Sequence, residues 1–352
     1  MSGLNQSIIR GGLESLYFSG AHVALRPLIG GVGAILALRH VRPPRTERFQ
    51  PNRALEVTPQ FFGRMVRRLR QSRLDLISLD EMHRRMVEGD FRRRFVCLTF
   101  DDGYRDLREW AYPILREEGV PFAIYVPTSF PDRLGELWWL VLETVIARND
   151  RVGLIIGGRD RTFDCGTEAE KLALYCELYW WLRGRPTESE MRGIVRSLAA
   201  YYHVDIPALC NELCMSWPEL AELASDPLVT IGAHTVSHPT LSRLSQDAAR
   251  SEMELSRSVV EAALAVRPAH LSYPYGEYTA AGNREFAMAA DIGFKTAVTA
   301  RPGVLFARHK RSMTALPRIS LHGDYQQMRY VWVLLSGAAT TMWKGFRRAS
   351  AA

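Results

Sequence analysis

Two carboxylates stand side by side at Asp101 and Asp102, directly after the apolar run FVCLTF (95–100) and directly before Gly103. Adjacent like charges repel and acidic residues are depleted from strands, so something outside the local chain must favour both. A pair of histidines four apart, His234 and His238 in HTVSH, follows a second apolar run, VTIGA. Two imidazoles at that spacing can aim at one ion. A carboxylate from another strand end then completes a two-histidine, one-carboxylate set with positions left open for water and substrate. On this reading one aspartate holds a metal, and the other stays free as a base beside the water to be activated. A divalent ion also offsets the repulsion between the pair. Each motif alone has a plainer reading, as a turn that ends a strand or as structural histidines.

The elements that must position these residues alternate between strand and helix. Gly33–Val41, Leu76–Leu79, FVCLTF and FAIYV (122–126) read as short buried strands; Thr58 to about Gln71, Asp80–Glu88 and Leu107–Glu118 carry helical periodicity. Strand, helix, strand in this order implies a parallel sheet with crossover helices. From about 133 to 225 the alternation stops. The tryptophan pairs Trp138-Trp139 and Trp180-Trp181 and long helical stretches mark a helical insertion or lid, its tryptophans serving as packing core or as a binding platform. The alternation resumes at Val229, with a helix from Gln246 to Leu264 and strands at Leu271–Tyr273, Phe294–Val298 and Leu316–Leu321. Polar residues follow several of these strands, as α/β sites do: Tyr275 in YPYG, then Arg318, His322 and Asp324 in LPRISLHGD.

With 352 residues, 47% hydrophobic and 24% charged, the chain has the composition of an ordinary globular protein with a substantial core. The net charge of +7 favours an anionic partner without choosing among nucleic acid, phospholipid and phosphorylated carriers. No helix-turn-helix or base-reading aromatic pattern supports nucleic acid. Five cysteines, an odd number with no second CxxC-like pair, read as reduced thiols. The N-terminus shows no leader pattern and no stretch is long and apolar enough to span a bilayer, so the expected location is cytoplasmic, in solution or at the inner face of the membrane. The apolar stretch Tyr330–Trp343, followed by Lys344, Arg347 and Arg348, is either an interfacial anchor or a last helix docked on the core.

TFDDGY (99–104), HTVSH (234–238), YPYG (273–276) and LPRI (316–319), in that order, resemble the NodB-homology polysaccharide deacetylases. The resemblance implies a distorted (β/α) barrel with fewer than eight repeats, interrupted here by the helical insertion at 133–225. The deacetylase domain would span 95–325, residues 1–94 forming a lead-in of strand and helices packed on the barrel and 326–352 a C-terminal helix. It further implies removal of an N-acyl group, mostly acetyl, from an amino-sugar glycan, free or lipid-linked, with a divalent metal, typically zinc. Carried over by position, Asp101 is the general base, Asp102, His234 and His238 hold the metal, and Tyr275 lends its backbone N–H to an oxyanion. Two departures stand out. Ser272 occupies the place of the family's arginine that orients the base, with Arg318 as the natural substitute. His322 lies near the place of the family's acid histidine, but in Ser-Leu-His; it is that acid or a loop histidine of the cleft. The opposing reading is a catalytically silent glycan-binding or scaffold protein on the same fold.

Overall fold

GAILAL (33–38) and FVCLTFD (95–101) are apolar at nearly every position, the pattern of parallel strands covered on both faces, and every residue of both is buried. The computed structural model describes residues 3–342, with side chains from Ser7 onward. In it seven parallel strands close a barrel: β1 (Gly33–Leu38), β2 (Phe95–Asp101), β3 (Phe122–Val126), β4 (Val229–Ala233), β5 (His270–Ser272), β6 (Thr296–Pro302) and β7 (Leu316–Ser320). Their order around the wall is β1-β7-β6-β5-β4-β3-β2, and β2 returns to β1 in a six-residue register from Gly33↔Phe95 to Leu38↔Phe100. The barrel is distorted where β5 meets β4 through the single pair Leu271↔Ala233, and where the β6–β7 register shifts between Val298 and Pro302.

Successive side chains on a strand face opposite ways, and the core divides accordingly. Leu36, Leu38, Val96, Leu98, Phe100 and Ile124 pack outward against the helices, together with Phe62, Met65 and Leu69 of helix Pro59–Arg70. Ile35, Cys97, Ala123, Tyr125, Val298 and Leu316 fill the barrel interior. Asp101 falls in the inward series and ends it at the carboxyl rim.

Three expectations need correction. Residues 1–94 do not merely pack on the barrel, because Gly33–Leu38 is one of its strands, hydrogen-bonded to both β2 and β7. The 133–225 segment is not wholly helical. It holds the antiparallel hairpin Arg151–Ile156/Arg159–Asp164, whose turn is Gly157-Gly158 with φ of 61° and 74°, the left-handed values a tight hairpin turn requires. Its end also lies earlier: Leu220 and Leu223 of helix Trp217–Ala224 belong to the outer barrel core, whereas Trp138 through Cys214 form a separate apolar cluster. That cluster includes Phe130, Tyr104 and Phe49, which tie the insertion to the barrel mouth.

The C-terminal stretch is docked as far as it is described. Helix Met328–Leu335 buries Tyr330, Val331, Val333 and Leu335, and Tyr330 and Val333 pack with Leu13 of helix Gly3–Phe18. Trp343, Lys344, Arg347 and Arg348 lie outside the described residues. Among the described residues no helix is long and apolar enough to cross a membrane.

Candidate active site

Two consecutive strand residues cannot both face the barrel mouth. The chain resolves this for Asp101 and Asp102 by ending β2 at Asp101 and turning Asp102 to a left-handed φ of 73°. Both carboxylates thereby lie at the mouth, 3% and 1% exposed. The HTVSH loop uses the same device, with Thr235 at φ 66° and His238 at 57°, and so does Tyr275 at 60°. Left-handed backbone costs a non-glycine residue roughly 1–3 kcal/mol and concentrates where function requires it. Of the seven non-glycine residues with positive φ among the described residues, four sit here. The four-residue spacing of the histidines is therefore a turn spacing and not a helix face.

Asp102, His234 and His238 converge. Each offers one ligand atom, all within 4.8 Å of one another and all buried. The Nε2 atoms of His234 and His238 lie 3.4 and 3.3 Å from Asp102 Oδ1. Both Asp102 oxygens and both Nε2 atoms lack a hydrogen-bond partner despite complete burial. Buried polar atoms left in this state are costly, and a cation among them resolves the cost. His234 is oriented for that purpose, since its Nδ1 donates to the Ser272 carbonyl at 2.6 Å and leaves Nε2 with its lone pair facing the cluster. Burial lowers the pKa of His238 to about 3, so its ring is neutral, as a ligand must be. The donor set suits zinc or another divalent ion.

Asp101 is held apart from this trio. Arg318, on β7, donates from Nη1 to Oδ1 at 2.7 Å and from Nη2 to Oδ2 at 2.8 Å. Arg318 also donates to the Thr99 hydroxyl, the Thr299 carbonyl and the Ser272 hydroxyl. Ser272 thus accepts from the arginine at the position where the family carries one. Burial works to raise the Asp101 pKa, but the Arg318 charge, with His234 and Arg39 behind it, outweighs burial and holds it below the ordinary value. Asp101 stays ionised.

Tyr275 and His322 differ in placement. The Tyr275 ring lies 4.9 Å from the His238 ring, its hydroxyl accepts from Trp138 Nε1 at 2.8 Å, and the Arg183 guanidinium stacks on it at 3.7 Å. Gly276 follows with φ 61°, and a Cβ there would lie 2.3 Å from the Ala300 nitrogen, so only glycine lets YPYG lie against β6. His322 makes its contacts with Asp324, whose backbone N–H donates to Nδ1 at 3.3 Å, and with the ring of Tyr325. No contact joins it to the aspartate–histidine group among the described residues. Trp138 and Trp139 are buried as core, yet the Trp139 ring stands 5.4 Å from His238 and so walls the site.

Several participants have no motif. Arg39, just beyond β1, places Nε 3.3 Å from Asp102 Oδ2 while remaining 27% exposed. Glu252, on helix Gln246–Leu264, accepts from the Val236 and Ser237 amides and the Ser237 hydroxyl at 2.7–2.9 Å, clamping the histidine loop. A strand-end position was the only available signal for Arg39; Glu252 had none.

A sequence model described as polysaccharide deacetylase matches residues 187–296, which contain HTVSH and YPYG. No curated protein matches the chain closely enough to count as a relative. Solved structures share the fold at low identity. The Streptococcus pyogenes deacetylase PplD, in complex with acetate, aligns with a TM-score of 0.57 and 18% identity over 86% of this chain and 97% of its own. IcaB from Ammonifex degensii aligns at 0.54 and 15%, over 87% and 98%. A de-N-acetylase from Aggregatibacter actinomycetemcomitans aligns at 0.54 and 11%, over 86% and 99%. TFDDGY and HTVSH thus meet at the mouth of a seven-stranded barrel of the fold these deacetylases share, and the polysaccharide deacetylase model matches this chain across the second motif.

Proposed function

We propose that this chain hydrolyses the N-acyl bond of an amino sugar in a glycan, with acetyl as the acyl group and zinc as the resident ion. The observation that carries the reading is one arrangement: a buried carboxylate–imidazole trio with unpartnered ligand atoms, beside a separate aspartate kept ionised by Arg318. Asp102, His234 and His238 would hold the ion, which when bound supplies Lewis-acid polarisation of a carbonyl and acidifies water.

The remaining chemistry belongs to the chain. Each Asp101 oxygen gives one lone pair to Arg318 and keeps another, so the carboxylate can accept the proton of an attacking water. Arg318 lowers its basicity while fixing its direction, which trades proton affinity for orientation. The Tyr275 amide, on a left-handed turn beside His238, supports an oxyanion as it forms. Trp139 and Phe130 exclude water from the His238 side. His322, half-exposed and hydrogen-bonded to its own loop, is the proposed donor to the departing amine.

The test is a panel of N-acetylated amino-sugar oligomers, free and lipid-linked, scored for released acetate with and without chelator. Chelator-sensitive release supports the reading. Glycan binding with no release under any metal would favour the catalytically silent alternative.

A further inference from the structure

Opposite the catalytic mouth, at the amino ends of the strands, the surface carries two adjoining basins of about 600 and 780 Å³ that share Ser72 and Trp332. Five arginines line one and four line the other, and no acidic residue lines either. Some are neutralised nearby: Arg67 by Glu118, Arg92 by Asp90, Arg93 by Asp75 and Arg329 by Glu14. Arg94 turns inward to carbonyls of Gly31 and Leu335. Arg26, Arg64, Arg68 and Arg73 are exposed, and none has an ion-pair partner among the described residues.

Beside these basins lie exposed apolar side chains. Among the described residues, five of the fifteen large hydrophobics that stand exposed fall within residues 8–28: Ile8, Phe18, Val23, Leu25 and Leu28, the last 79% exposed. A third of them in so short a segment is a concentration that solvent does not favour. The short helices Ala21–Ala24 and Arg26–Ile29 bury no side chain, so nothing in the described fold covers Val23 or Leu28.

We infer that this end of the barrel docks on an anionic lipid bilayer, with Phe18, Val23, Leu25 and Leu28 entering the interface and the unpaired arginines meeting headgroup phosphates. Apolar insertion beside guanidinium groups is the physical form of interfacial binding. Charge argues against the remainder of the chain as occupant. Met342, the last described residue, lies against Gly12, and residues 343–352 carry three cations and no acid, which repel the basins and suit the same lipid surface. The docking is independent of the proposed reaction. It also sets an orientation: β2 runs from Phe95, next to Arg94, to Asp101, so the mouth faces away from the lipid by about 20 Å. The glycan reached from there projects from the membrane or is free.

The full chain is floated with phosphatidylcholine vesicles and with vesicles also containing phosphatidylglycerol. Binding to the anionic vesicles alone, weakened by salt, is expected. Arg64→Gln/Arg68→Gln/Arg73→Gln should weaken it about 100-fold, and Val23→Ser/Leu28→Ser should weaken it in low salt, both with unchanged acetate release from a soluble oligomer. Equal binding to both vesicle types, no binding, or binding unaffected by either variant overturns the inference. So does a concentration-dependent dimer abolished by Val23→Ser/Leu28→Ser, or retention of nucleic acid without vesicle binding.

Discussion

Arg318 grips Asp101 with two parallel hydrogen bonds of 2.7 and 2.8 Å across a sequence separation of 217 residues, and both side chains are almost wholly buried. Breaking such a pair strands the surviving charge. Arg318→Met is expected to cost about 3–5 kcal/mol in denaturant unfolding, and adding Asp101→Asn should restore part of it because the double variant strands neither charge of this pair. Asp101→Asn alone should lower kcat about 10²- to 10⁴-fold while metal content stays unchanged. Near-normal turnover in that variant would remove Asp101 from the role of base.

Loss of an imidazole should act on the ion before it acts on anything else. His234→Ala and His238→Ala are each expected to lose zinc on dialysis where the wild type retains it. Added zinc at a hundredfold excess over its dissociation constant should stabilise the wild-type chain by about 2.7 kcal/mol and leave both variants unmoved. Metal analysis together with thermal melts decides this. Equal zinc retention in the variants would mean the trio is not the site.

Gly276→Ala places a methyl group 2.3 Å from the Ala300 nitrogen at a left-handed position. The turn carrying Tyr275 must shift, so activity should fall while zinc content holds. Unfolding should become easier by about 1–3 kcal/mol. Activity equal to the wild type would show that the Tyr275 amide takes no part.

Glu219 makes stability depend on pH without belonging to the aspartate–histidine group. It accepts from Arg105 Nε and Nη2 at 2.9 and 3.0 Å and from Ser216, and Arg105 foremost pulls its pKa from 4.5 down to about 2. A pKa depressed on folding contributes stability that is fully present above the unfolded value and disappears as pH falls through the folded one. The gap in melting temperature between wild type and Glu219→Gln should be full at neutral pH and shrink between about pH 4.5 and about pH 2. A gap independent of pH would discard the assignment.

The motifs were legible because each is continuous: Asp101-Asp102 ends one apolar run and His234 to His238 follows another. The strands that carry them were legible for the same reason. What escaped was either non-local or encoded in backbone angle. Nothing in the spacing ties Glu252 to Ser237 or Arg39 to Asp102, since those contacts exist only once the barrel brings distant segments together. Left-handed angles at Asp102, Thr235, His238 and Tyr275 carry no glycine to announce them. The hairpin at 151–164 had its signal in Gly157-Gly158, overshadowed by the helical stretches that follow it.

The barrel's closure has a consequence for when activity arises. β1 must pair with both β2 and β7, and the counter-ion of Asp101 arrives on β7, near the end of the chain. Contacts this distant in sequence form late and slowly, because loop closure must precede their reward. During synthesis Asp101, Asp102, His234 and His238 all emerge before Arg318, so Asp101 stays without its guanidinium partner until the last barrel strand is made. A chain interrupted before residue 318 therefore lacks both the strand that closes the barrel against β1 and the guanidinium that holds Asp101.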